Sequence, residues 1–368
     1  MEKGLRRISS IYRRLLYRLC GRSTTGVLSS WYPCHVEDPT KEETFGDVVH
    51  PCVRYIEEGF EGHKWWMAYT PNYGDNAEME NPRLCYSDAK DGELPIEWQF
   101  YCTIKDKPKE GYNSDPTVLY NKGRLYVYWR ENYTSGTRAL GMSRATFGCY
   151  VENRHVHYLK EAQLMDLYRH KDKEVCPTFL SYRDKPRAYA MDIRFCSRIM
   201  YHLPKRLEQK VYKLLSYTEA LGLYSRFRCH GVSLWEGDSF EGHFNYKKTV
   251  RFLGRNRLYQ PWHMDLFFAP NNQADLYAVV QSNINKADIC LAKSEDGERF
   301  RFLRKPLITT QSINQSINQS IEMKRLYKPS AVVVGGKFYL FFTAREKSSP
   351  LLNRLYLAPL AWEDIDDT

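Results

Sequence analysis

The 368-residue chain carries 54 Lys and Arg against 44 Asp and Glu, a formal charge of +10, with 43% hydrophobic and 27% charged residues. These proportions exclude a mainly disordered chain, a collagen-like chain and a small disulfide scaffold, and the length suits one large domain or two ordinary ones. No apolar run approaches the roughly 20 residues that span a bilayer, and 14% aromatic content favours pleated sheets.

The charge is concentrated at the start. Residues 1–22 hold seven basic residues and one acid, a net +6, leaving +4 for the other 346. With a near-neutral body and no nucleic-acid-binding motif, nucleic acid is not an expected partner. Leu5, Ile8, Tyr12, Leu15, Leu16 and Leu19 fall on one helical stripe with the arginines opposite, so residues 1–23 are predicted to form a basic amphipathic helix. The segment lacks the apolar core of about 7–15 residues that a secretory signal needs, so export is not expected. Three readings stay open: a helix on an anionic membrane surface, a transit peptide, or a solvated terminal helix. The expected location is cytoplasmic, at the inner membrane face if the first reading holds. Ten cysteines are scattered singly, without a CxxC pair or a zinc-ligand cluster, as expected of free thiols in a reducing compartment.

A common opening recurs along the chain: HPCVRY from His50, SDPTVLY from Ser114, CPTFLSY from Cys176, PWHMDLF from Pro261 and KPSAVVV from Lys328. Each leads into an apolar strand and a second strand after a Gly-rich or polar turn, as hairpins require. Openings at 50, 114, 176, 262 and 328 give intervals of 64, 62, 86 and 66 residues, a period that carries about four strands. That is a β-propeller blade, and the predicted fold is an all-β, five-bladed propeller over residues 24–368. The long third interval contains a predicted helical insertion at 204–222. A segment within 24–45 is expected to complete blade five and close the ring. QSINQSINQSI at 311–321 is a short tandem repeat, expected on an exposed loop.

Inner-strand openings converge on a propeller's channel although they are distant in sequence. They offer His50 and Cys52, Asp115, Glu174 and Cys176, Trp262, His263 and Asp265, and Lys328; the second strands add Arg130, Glu131, Asp192, Arg345 and Glu346. Several carboxylates in one aromatic-lined pocket suit glycoside chemistry, where one acid protonates the leaving oxygen and a carboxylate supplies or activates the nucleophile.

SDPTV at 114–118 and EVCPTF at 174–179, set on five repeats, resemble the five-bladed propeller glycosidase superfamily that includes glycoside hydrolase families 43, 32, 62, 68 and 117. HPCVRYIEEGFEGHKWWMAYTPN from His50 and PWHMD at 261–265 are similar to a bacterial branch of that group. The resemblance spans about residues 45–362. It implies that Asp115 steadies the transition state and Glu174 is the general acid. It also implies a blade-one Asp as base or nucleophile, where this chain has His50-Pro51-Cys52.

Three outcomes follow: His50, Asp265 or Glu80 takes over, the protein transfers rather than hydrolyses, or it binds sugar without turnover. The catalytic candidates are therefore Glu174, Asp115 and Asp265. His50, His263, Trp262, Arg130, Asp192, Lys328 and Arg345 are the substrate-binding candidates. The expected function is cleavage or transfer of a glycosidic linkage in an oligo- or polysaccharide, in bacterial surface-polysaccharide metabolism. The alternative is a non-catalytic carbohydrate-binding or scaffold protein at the cytoplasmic membrane face. Neither needs a metal or organic cofactor, and a structural calcium ion in the channel is compatible with both.

Overall fold

The structure, a computed structural model, describes residues 30–39, 48–72, 79–109, 111–133, 142–164, 172–195, 227–250, 252–253, 261–269, 272–282, 288–314, 321–349 and 352–366. For 133, 142–144, 172–175, 193–195, 227–230, 272–274, 282, 304, 311 and 366 it describes the backbone only. The expected helices at 1–23 and 204–222 lie outside the described residues, as does the end of the 311–321 repeat.

In chain order, two short strands come first, β1 (Tyr32–Pro33) and β2 (His35–Val36). Blade one contains β3 (Val48–Phe60), β4 (His63–Pro71), β5 (Arg83–Ser87) and β6 (Glu97–Thr103). Blade two contains β7 (Tyr112–Asn121), β8 (Arg124–Tyr133), β9 (Met142–Glu152) and β10 (His155–Tyr158). Blade three contains β11 (Asp172–Tyr182), β12 (Lys185–Phe195), β13 (Phe227–Gly237) and β14 (Phe244–Val250). The short β15 (Phe252–Leu253) precedes β16 (Pro261–Ala269), β17 (Asn272–Ser282), β18 (Asp288–Ser294) and β19 (Phe300–Ile308) of blade four. Helix α1 (Thr310–Asn314) takes up the start of the tandem repeat and buries Ile313, so that part packs against blade five rather than forming an exposed loop. Blade five holds β20 (Met323–Val334), β21 (Lys337–Glu346) and β22 (Asn353–Ala361), followed by α2 (Glu363–Asp366).

Five sheets result, antiparallel throughout each blade with the short β2 and β15 added in parallel to β6 and β19, and their first strands β3, β7, β11, β16 and β20 touch one another in a closed ring around the axis. The five-bladed prediction therefore holds. Hairpins from first to second strand turn through Glu61-Gly62, Lys122-Gly123, Arg183-Asp184 and Gly335-Gly336, with both residues of each pair at positive φ. That is the turn whose twist matches the flanking strands.

Apolar side chains on both faces of each blade pack into five seams, one per pair of neighbouring blades. In the seam between blades one and two, Trp66 is fully buried against Tyr101 and Tyr86. Truncating so large a buried ring costs about 3–5 kcal/mol.

The ring is closed by the segment expected to do so. β1 pairs with β22 of blade five, and β2, two residues later, pairs with β6 of blade one. The Cys34 amide donates to the Leu355 carbonyl at 2.9 Å and the His35 amide to the Ile96 carbonyl at 2.7 Å. One short stretch thus covers the outer edges of two adjacent blades, which removes exposed pairing edges. Trp31 anchors it, buried edge-on against Tyr356 at 5.2 Å. Among the described residues, no helix is long and apolar enough to cross a membrane.

Candidate functional site at the channel axis

Each inner strand is interrupted by a bulge at the same level. The ladder skips between Val49 and Cys52, Ser114 and Thr117, Val175 and Thr178, Pro261 and His263, and Tyr327 and Pro329. In blades one to three the residue before the proline, His50, Asp115 or Cys176, takes a φ of 55°, 52° or 52°. Positive φ in a residue with a Cβ costs of order 1–3 kcal/mol and clusters at functional sites. A bulge re-aims a side chain: in blades one, two, three and five the bulged residue reaches the axis, and in blade four it is His263, directly after the bulge at Trp262.

Asp115 is the hub and is fully buried. Arg130 donates to its Oδ2 from Nε at 2.9 Å and from Nη2 at 2.8 Å, and the Cys176 amide donates to the same oxygen at 3.2 Å. Its Oδ1 faces four other groups: Lys328 Nζ and His50 Nε2 at 3.4 Å each, Cys176 Sγ at 3.6 Å and His263 Nδ1 at 3.7 Å. Cys176 Sγ also contacts His263 Nδ1. Five blades contribute to this point.

Around the hub, Tyr327 Oη lies 3.3 Å from His50 Nε2 and 2.9 Å from His263 Nε2. The other nitrogen of His50 meets Thr70 Oγ1 at 3.0 Å and Glu80 Oε2 at 3.4 Å, and Asn72 donates to Glu80 Oε1 at 3.2 Å. Burial alone would raise the Asp115 carboxyl, but Arg130 and Lys328, then the imidazoles, hold it well below the usual carboxylate range. Burial drives His263 well below the ordinary imidazole value, against the pull of Asp115. Burial also pushes the Cys176 thiol up, with Asp115 adding to the effect.

The other sequence candidates are placed as follows. His50, Asp115, His263, Arg130 and Lys328 converge at the hub. Asp265, in the same strand as His263, is wired differently: Arg54 donates to its two oxygens at 2.8 Å each, and Ser330 donates to Oδ2 at 2.5 Å. Its charge is matched and its lone pairs are engaged by blades one and five. Trp262 is half-buried and stands edge-on to His263, with centroids 5.9 Å apart. Arg345 donates to Asn353 at 3.0 Å on the neighbouring strand of its own blade. Asp192 is fully buried opposite Glu174 and Gly231 in the ladder. Glu174 lies in β11, two residues before the bulge, and its side chain is outside the described residues.

In register, the blade-three counterpart of Asp115 is Cys176 rather than Glu174. The tripeptides His-Pro-Cys, Asp-Pro-Thr, Cys-Pro-Thr and Lys-Pro-Ser carry that alignment in the sequence. Tyr327, Thr70 and Arg54 were not anticipated. Tyr327 immediately precedes the Lys-Pro-Ser opening, so the same alignment points to it.

His50, Asp115 and His263 offer ligand atoms that all lie within 4.8 Å of one another, the set among the described residues able to hold a metal ion. Imidazole donors suit first-row transition metals, whereas calcium takes oxygen ligands, so this donor set does not suit a structural calcium ion.

No protein-family model matches the chain, and no curated protein sequence does. Solved structures do. An N-acetylgalactosamine deacetylase from F. plautii, in complex with blood group B trisaccharide, is 16% identical with a TM-score of 0.64, over 92% of this chain and 97% of that one. A GH43_1 enzyme from Xanthomonas citri, solved also with xylose and xylotriose, is 11% identical with a TM-score of 0.57, over 91% and 92%. A thermostable family-43 glycoside hydrolase is 10% identical with a TM-score of 0.55, over 89% and 94%. The chain has the five-bladed propeller fold seen in the family-43 glycoside hydrolases.

Proposed function

We propose that the protein is carbohydrate-active: it takes an oligo- or polysaccharide at the channel and breaks or transfers a bond of it beside Asp115. The observation that carries the reading is the bulge repeated at one level in all five inner strands, with a chemistry-bearing side chain at it or directly after it in each blade meeting at one buried point. The fold it shares with proteins crystallised with saccharides supports the substrate class.

For glycosidic cleavage the assignment is Glu174 as general acid and Asp115 as the charge that steadies the transition state, with His50 in the blade-one position. Asp265 is not assigned a chemical step, because its carboxylate is already held by Arg54 and Ser330. A second reading, hydrolysis of an acyl substituent on the sugar, is favoured by His50 and His263. An imidazole pair with one carboxylate suits water activation at an acyl carbon better than a two-carboxylate displacement does.

Assaying the purified chain on a panel of glycosides and N- or O-acetylated oligosaccharides tests both. Glu174→Gln is expected to lower glycoside turnover about 10²–10⁴-fold and to leave acyl release near its parent rate. If neither bond is broken while oligosaccharide is still retained, the carbohydrate-binding or scaffold reading replaces both. The basic segment at residues 1–22 supports peripheral attachment to the inner membrane face. Vesicles of anionic lipid should retain the full chain at low salt and release it at high salt.

A further inference from the structure

We infer that His50, Asp115 and His263 form a binding site for one divalent first-row transition metal, with zinc or manganese as the class and calcium excluded. The inference goes beyond the carbohydrate reading by naming a cofactor, and it does not depend on that reading.

The geometry comes first. Ligand atoms about 2.0–2.3 Å from a tetrahedral ion stand about 3.3–3.8 Å from one another. Asp115 Oδ1 lies 3.4 Å from His50 Nε2 and 3.7 Å from His263 Nδ1. All three residues are buried, and each comes from a different blade, so the rigid ring fixes their spacing. Cys176 Sγ, 3.6 Å from the same oxygen, places a soft donor beside the set.

The surroundings are those of a ligand set. A metal-bound imidazole needs its other nitrogen held, commonly by a carboxylate. Glu80 Oε2 and Thr70 Oγ1 hold His50 Nδ1 at 3.4 and 3.0 Å, and Tyr327 Oη holds His263 Nε2 at 2.9 Å. Asp115 divides its work: Oδ2 takes Arg130 and the Cys176 amide, while Oδ1 is left to face the imidazoles. Lys328 Nζ, 3.4 Å from Oδ1, competes for that oxygen and must move aside for the ion. Two imidazoles with a carboxylate select transition metals over magnesium and calcium. Bound there, the ion would present an open position to a ligand oxygen in the channel.

The test uses the full-length chain, stripped with chelator and titrated separately with Zn²⁺, Mn²⁺ and Ca²⁺, with bound metal counted by elemental analysis. One equivalent of Zn²⁺ or Mn²⁺, and no stoichiometric Ca²⁺, is expected. His263→Ala and Asp115→Asn should each weaken binding more than about 100-fold, and Glu80→Gln, which acts through His50, about 10–100-fold. Lys328→Met should tighten it, and the exposed His155→Ala should leave it unchanged. If a ligand variant fails to fold, Co²⁺ on the parent protein decides instead. Visible bands of a four- or five-coordinate protein site support the proposal, and the spectrum of the free hydrated ion overturns it. Absence of a stoichiometric transition metal overturns it too, as does binding that His263→Ala leaves intact. Saccharide retention by the metal-stripped chain reads the carbohydrate proposal separately.

Discussion

Among the described residues, two buried carboxylates sit in the inner strands, Asp115 in blade two and Asp265 in blade four, and they are wired in opposite ways. Asp265 lies on a regular stretch of strand, meets one guanidinium with both oxygens and takes a hydroxyl from a third blade. Its charge is balanced by one partner in one geometry. Asp115 sits at a strained bulge among two fixed cations, two imidazoles, a thiol and a backbone amide, with several of these sharing one oxygen. The first arrangement is a tie between blades one, four and five. The second concentrates titratable groups from all five blades at one point, which is how sites that do chemistry are built. A carboxylate at a blade opening is therefore no signature by itself; what it touches decides its role.

The largest expected effect falls on the tie. Asp265→Leu leaves the part-buried Arg54 without its counter-charge and should lower unfolding free energy by about 3 kcal/mol in urea titrations, whereas Arg54→Met with Asp265→Leu should recover most of that loss. If Asp265→Leu instead abolished turnover with stability intact, the contrast would be inverted.

Next comes Ser330→Ala. Its hydroxyl donates to Asp265 and accepts the Val53 amide at 2.9 Å, so removal leaves a buried donor unmet. A loss of about 1–3 kcal/mol is expected, with ligand affinity unchanged. Tyr327→Phe probes the other side. It removes the hydroxyl between the two imidazoles and should cost about 1 kcal/mol of stability while changing saccharide affinity. An unchanged affinity would make Tyr327 a packing residue only.

The smallest effect belongs to an outer turn, where Asp296 accepts from Arg299 and from the amides of Glu298 and Arg299. Partial burial would raise its carboxyl, but these hydrogen bonds outweigh that and hold it below the usual range. A lowered native value stabilises the fold above the unfolded carboxylate range and is lost as pH falls through it. Asp296→Asn should therefore cost less than about 1 kcal/mol at pH 7 and flatten the acid limb of the stability profile below about pH 4.

The repeat was legible because its marker is local. In four blades the bulged residue stands before a proline, a tripeptide visible in the sequence, and the openings read at 50, 114, 176, 262 and 328 fall on or one residue before the bulges. The convergence of His50, Asp115, His263, Arg130 and Lys328 followed from that marker and the ring. The pairing of Arg54 with Asp265 was not legible, since it joins blades one and four with no local pattern. Nor was the place of Cys176 at the hub, because a single thiol before an apolar strand reads as a small buried hydrophobe.

The stretch from Trp31 to Val36 also has a consequence for the order of assembly. Tyr32 can meet Leu357 only after nearly the whole chain has been made. During synthesis blade one, and then each later blade, must therefore hold together as an open arc, with β1 waiting unpaired beside it. Closure of so distant a contact is entropically slow. The final, slowest folding phase should be the sealing of this seam. A substitution such as Trp31→Ala would lengthen the time spent as an open arc more than it disturbs any one blade, leaving an edge exposed to other chains.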